Sequence, residues 1–167
     1  MIIESFVQAG DNMQMGRNYG IYHRTKSSKE KQWQIIEWDY DSAFYVDSRT
    51  NKNPQYSDIY EFWELNGLPW PSQNIVPVRI LSIPSLNETF KKDYQTFLSV
   101  VFGKNSAQQP IERFQILANF VRSSIANDQF LNMCAPYGSE EEYNDQVSKS
   151  MQCIQDRYED VKRQLQM

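Results

Sequence analysis

Histidine and cysteine are nearly missing from this chain: its 167 residues hold one His and two Cys. Zinc sites built from clustered thiolates and imidazoles are thereby excluded, because such a centre needs several of these ligands at close spacing. Cys134 and Cys153 form no C-x-x-C pair, and a secreted disulfide framework usually has more cysteines at tighter spacing, so they read as small apolar residues of the interior. Glycine is scarce as well, at 6 residues, and no glycine-rich phosphate loop occurs. Nowhere does the chain approach the ~18 consecutive apolar residues of a membrane span. Its opening residues lack the basic and apolar regions of a signal peptide, and a cytoplasmic protein is expected.

An excess of positive charge is missing too. The net charge is −4, and residues 1–85 carry 8 basic and 10 acidic side chains against 9 and 11 in the remainder. No basic lobe hides in the average, which argues against a nucleic-acid partner, since counterion release needs clustered Lys and Arg. The lysines at 26–31 are diluted by serines and Glu30 and read as a solvated turn.

What the chain has in abundance is amide and aromatic side chains. Gln and Asn number 16 and 12, which lowers the mean hydropathy to −0.67 although 40% of residues are apolar. Aromatics, at 14%, supply core volume, because each ring buries a large area. All four tryptophans lie in the first 70 residues.

The pattern predicts an α+β fold in a single domain, residues 1–167, with a β-rich half at 1–84 and a helical half at 85–167. Residues 2–8, 17–25, 32–38 and 42–46 read as short strands separated by turn formers, and residues 75–83 as an edge strand bent by Pro77. The expectation is an antiparallel sheet of about four to five strands, interrupted by one helix at 57–65 and packed against a C-terminal layer of three or more helices. From Ser85 the apolar period changes to that of a helix. Ser85 and Glu88 match a capping box, and Phe90, Tyr94, Phe97, Leu98 and Val101 form a stripe that ends at Gly103. A second helix at 109–126 carries Phe114, Leu117, Val121 and Ile125. The last helix opens on Ser139 and three glutamates, closes on Lys162 and Arg163, and carries Tyr143, Val147, Met151, Ile154, Tyr158, Val161 and Leu165 at coiled-coil spacing.

Three groups of residues are candidates for function. Leu68 and Trp70, held extended between prolines, suit an aromatic anchor on a protein partner. The distal seam of the last helix, Tyr158, Val161 and Leu165, is expected to be available to such a partner, with Val147 to Ile154 packed internally. Asp39 and Asp41 follow the strand at 32–38 and, on extended backbone, point the same way. A carboxylate pair of that kind holds Mg²⁺ or Mn²⁺ for work on a phosphoryl group. His23 lacks any spacing that ties it to a nucleophile. With neither cofactor loop nor catalytic signature, the residues favour a non-enzymatic interaction protein, an adaptor, inhibitor or assembly subunit, needing no cofactor or metal. The alternative is a metal-dependent phosphoryl-transfer or hydrolytic enzyme using Asp39 and Asp41.

Overall fold

A computed structural model of the chain describes residues 2–7, 19–23, 33–38, 59, 79–103, 107–127 and 139–167. The fold is mixed α+β, with a small antiparallel sheet early in the chain and a helical bundle in its C-terminal half. In chain order the elements are α1 (Ile2–Val7), β1 (Tyr19–His23), β2 (Trp33–Glu37), α2 (Pro84–Phe102), α3 (Gln108–Ala126) and α4 (Glu140–Gln164). Two compact units result, Met1–Tyr94 and Gln95–Met167.

In the first unit, the strands expected at 17–25 and 32–38 are present and pair as a hairpin, with Tyr19 opposite Glu37 and His23 opposite Trp33. Two other strand expectations fail. Residues 2–7 form α1 instead, with Ser5 and Phe6 buried and the Ser5 hydroxyl donating to the Ile59 carbonyl at 3.3 Å. That contact spans 54 positions, so no local pattern announces it. Residues 79–81 are helical where the distal part of an edge strand was expected. Of the described residues only those of β1 and β2 form strands, and the segment 42–46 lies outside them.

Helix α2 starts one residue before the expected capping box. Pro84 occupies the first helical position, where its missing N–H costs nothing. The Ile83 carbonyl accepts from the Asn87 amide at 2.9 Å, and the Asn87 side chain reaches back to the Leu81 carbonyl at 3.1 Å. Ser85 therefore lies inside the helix rather than ahead of it. The helix ends as expected before Gly103, whose φ of 69° suits a residue without a Cβ. Its buried row is Phe90, Tyr94, Leu98 and Phe102, while Val101 is exposed. A row of i, i+4 residues winds about 40° per step around the axis, so by the last turn the enclosed face has moved from Val101 to Phe102. Phe90 and Tyr94 meet edge to face at 5.5 Å within the first unit.

The second unit is built on α3, α4 and the last two turns of α2. Tyr143 of α4 donates its hydroxyl to the Ala118 carbonyl of α3 at 2.9 Å, and both residues are buried. A small residue at 118 permits that approach. Half of the stripe expected on α3 lies off its covered face: Phe114 and Ile125 are partly covered, but Leu117 and Val121 are exposed, as are Ile116 and Phe120, the last by 81%. The buried residue of α3 that meets Tyr143 is an alanine, which a stripe of large apolar residues passes over.

Helix α4 opens as its sequence dictates. Ser139 takes extended backbone angles and its hydroxyl accepts from the Glu142 amide at 3.2 Å. Removing this cap with Ser139→Ala is expected to cost about 1 kcal/mol, read as a lowered melting temperature. At the other end the Gln166 amide donates to the Arg163 carbonyl and the Met167 amide to the Lys162 carbonyl, at 3.2 and 3.1 Å. This is a Schellman closure, and Gln166 stands at φ 57° where a glycine is usual. Among the described residues no helix is long and apolar enough to cross a membrane.

Candidate functional site

Strand alternation fixes which side chains share a face of the hairpin. Tyr19, Ile21, His23, Ile35 and Glu37 fall on one face, and Gly20, Tyr22, Gln34 and Ile36 on the other. Neither face is fully enclosed, for Ile21, Tyr22, Ile35 and Ile36 are all half exposed or more. Among the described residues the last pair of the ladder is Tyr19 and Glu37. Trp38 is the next residue along the chain and is half exposed. A Cβ added to Gly20 would sit 3.6 Å from one carbon of the Trp38 indole and 3.9 Å from another, so the benzo edge lies beside Gly20 with room for a methyl group between them. Asp39 follows directly in the chain, with Asp41 two further on.

Asp39 and Asp41 themselves lie outside the described residues, as do Leu68 and Trp70. Among the described residues no group of three or more His, Cys, Asp and Glu is assembled to hold a metal ion. The strand that leads to the aspartates is in place, with β-geometry through Glu37. Mg²⁺ at a phosphotransfer site is commonly held by one or two carboxylates together with phosphate oxygens rather than by a full protein cage. A D-x-D pair leaving a strand fits that demand.

The distal seam of α4 is not available to a partner. Tyr158, Val161 and Leu165 are all buried, Val161 completely, whereas Val147 and Met151 are only partly covered. Against the expected split the distal part is the better enclosed, and of the proximal part Ile154 is buried as expected. The cover comes from the end of α2, where Phe102 stacks on Tyr158 with ring centroids 4.8 Å apart and Gln95 donates to the Leu165 carbonyl at 3.4 Å. Lys162 adds a cation 5.7 Å from the Tyr158 ring.

The periodicity also hides a charged cluster beside this seam. Arg157 is fully buried and Asp160 nearly so, joined at 3.2 Å. The Asp160 carboxylate further accepts from Gln164 at 2.7 Å and from Arg163. Ile154, Arg157, Tyr158, Asp160, Val161 and Leu165 are all buried, and at 100° per residue they occupy an arc of about 160°. So wide a face is needed only by a helix enclosed on more than one side. Cys153 is half buried and free. Burial, and then the neighbouring Asp156, raise its thiol pKa, which keeps it protonated and poorly reactive.

Neither the curated proteins nor the solved structures contain a match to the chain. A family model described as CotH kinase protein does match, over residues 1–161. That finding overturns the non-enzymatic adaptor, inhibitor or assembly-subunit reading, and with it the expectation that the chain is not an enzyme. Those expectations rest on the absence of familiar loops and signatures, and a chain that matches a kinase family without them defeats the inference. What the match favours is the phosphoryl-transfer alternative. With nearly the whole of its length covered, this chain belongs to the CotH kinase family.

Proposed function

We propose that the chain is a phosphotransferase that moves the γ-phosphoryl group of a nucleoside triphosphate to a hydroxyl acceptor, with Asp39 and Asp41 as the carboxylates of its cation site. The observation that carries this reading is the kinase-family match, which spans the D-x-D segment and the hairpin before it. The transfer forms a bond between the acceptor oxygen and the γ-phosphorus. It breaks the bond from that phosphorus to the β,γ-bridging oxygen, which leaves with the electron pair on the nucleoside diphosphate. The acceptor proton passes to water or to a carboxylate.

Such a reaction asks little covalent chemistry of the protein and much positioning and charge compensation. A divalent cation at the aspartates would neutralise charge on the phosphate oxygens as it develops. The chain's own part is to present the carboxylates of Asp39 and Asp41, and β2 supplies the lead into them. The test is incubation of the full chain with γ-labelled ATP and Mg²⁺ or Mn²⁺, using its own hydroxyls, added protein hydroxyls and water as acceptors. Label transfer or phosphate release is expected with the cation and not with a chelator. Equal turnover in the Asp39→Asn, Asp41→Asn double variant would overturn the assignment of the site.

A further inference from the structure

We infer that two copies of this chain pair through the outer face of α3, helix against antiparallel helix, about a twofold axis level with Ala118 and Asn119. At 100° per residue, Arg113, Ile116, Leu117, Phe120, Val121 and Ser124 fall within an arc of about 140°, and all six are exposed. Ile111, Phe114, Ala118, Arg122 and Ile125, which are buried or partly covered, fall on the opposite side, where α3 meets α4. Ile116, Leu117 and Phe120 are 67%, 65% and 81% exposed, so large apolar side chains stand next to one another in water. Contiguous apolar surface of this kind marks an interaction site.

Spacing and charge specify the occupant. The middle row of the face, Arg113, Leu117, Phe120 and Ser124, has intervals of 4, 3 and 4, the spacing of a helix-pairing seam. That series reads the same in both directions. A second α3 laid antiparallel therefore sets Leu117 opposite the partner's Phe120 and Arg113 opposite the partner's Ser124. A patch that complements itself in this way is what a closed assembly of two copies needs. Charge selects the direction. Arg113 pairs with no described carboxylate, whereas Lys91, Lys149, Arg157 and Arg163 each do. Glu112, the one carboxylate of α3, stands off the row and accepts from Gln108 at 2.7 Å. Antiparallel pairing carries Arg113 to the last turn of the partner helix, which holds no basic residue and bears the partial negative charge of a helix C-terminus. Parallel pairing would bring the two arginines together. One helix face is smaller than the roughly 20 residues a side of a standard stable complex, so the pair is reversible, with a Kd of about 10 μM.

Sedimentation velocity of the full chain between about 1 and about 100 μM tests this. The expected result is a shift with rising concentration from 19.8 kDa toward twice that mass. Phe120→Asp should raise the Kd about thirtyfold, and because Phe120 is so exposed its melting temperature in dilute solution should not move. Arg113→Glu and Ser124→Arg, each alone, should weaken pairing about fivefold by setting like charges across the axis. The two changes together should restore it, since each new carboxylate then faces a new guanidinium. A chain that stays at 19.8 kDa throughout would overturn the inference and leave the face to a different protein. Pairing that survives Phe120→Asp would also overturn it, because the copies would then meet elsewhere. Failure of the charge exchange to restore pairing would overturn the antiparallel arrangement.

Discussion

Val161→Asp is expected to unfold much of the second unit at ordinary temperatures. Val161 has no exposed surface, and it lies one turn from Tyr158 and one from Leu165, both of which touch the end of α2. The change removes the transfer free energy of a buried valine, about 2 kcal/mol, and places a carboxylate where water does not reach. An unpaired buried charge costs a further 3–5 kcal/mol or is neutralised at similar expense. Together these rival the whole stability of an ordinary domain, about 5–15 kcal/mol. Far-UV circular dichroism and a thermal melt would register the loss. A Val161→Asp protein that melts like the wild type would mean that the seam is not enclosed as described.

The second large effect is on activity. Asp39→Asn with Asp41→Asn is expected to lower phosphoryl transfer about a thousandfold, equal to roughly 4 kcal/mol of transition-state stabilisation. The two changes keep side-chain size and remove the negative charges that attract the cation. Because the pair follows the last paired residue of β2, the hairpin itself should survive, and the melting temperature should change little. A useful internal check is thermal stabilisation by Mg²⁺, since a ligand that binds only the native state raises its melting temperature. The wild type should show that shift and the double variant should not.

Parts of this fold are legible in the sequence because the signal is local. β1 and β2 are rich in the aromatic and β-branched residues that strands favour, and α4 announces its start with Ser139 and three glutamates. Other parts depend on contacts that local patterns do not carry. The apolar residues of 2–7 suit a strand as well as a short helix, and Ser5 is buried by virtue of a partner at residue 59. The seam of α4 shows which face is apolar without showing what lies against it. Phe102, which supplies the cover at Tyr158, stands outside the stripe read for α2 because an i, i+4 row rotates along its helix. Charged residues inside α4 escape altogether, since Arg157 and Asp160 count as surface by type, and their pairing, with the bonds of Gln164 and Arg163 to Asp160, makes the interior tolerable.

The candidate site divides in a similar way. Asp39 and Asp41 are visible as a pair, but a two-residue acidic motif is common in exposed turns and has little weight by itself. The family match covers this pair together with the hairpin before it, which makes the pair worth testing. Trp38 and Gly20 are each unremarkable in a string of letters. Their relation appears only when the register places one diagonally across from the other.

The enclosed Arg157 and Asp160 also constrain how this chain changes over generations. Loss of Asp160 alone would take a charged partner from a guanidinium in the interior, and loss of Arg157 alone would leave the carboxylate more exposed to the cost of burial. Replacement of both by apolar residues of matching volume is far milder, often neutral or better. Positions 157 and 160 should thus drift as a couple, each tolerating substitution chiefly in lineages where the other has already moved. Lys149 and Asp145, an ion pair whose side chains are more than half exposed, are under no such tie and should vary independently.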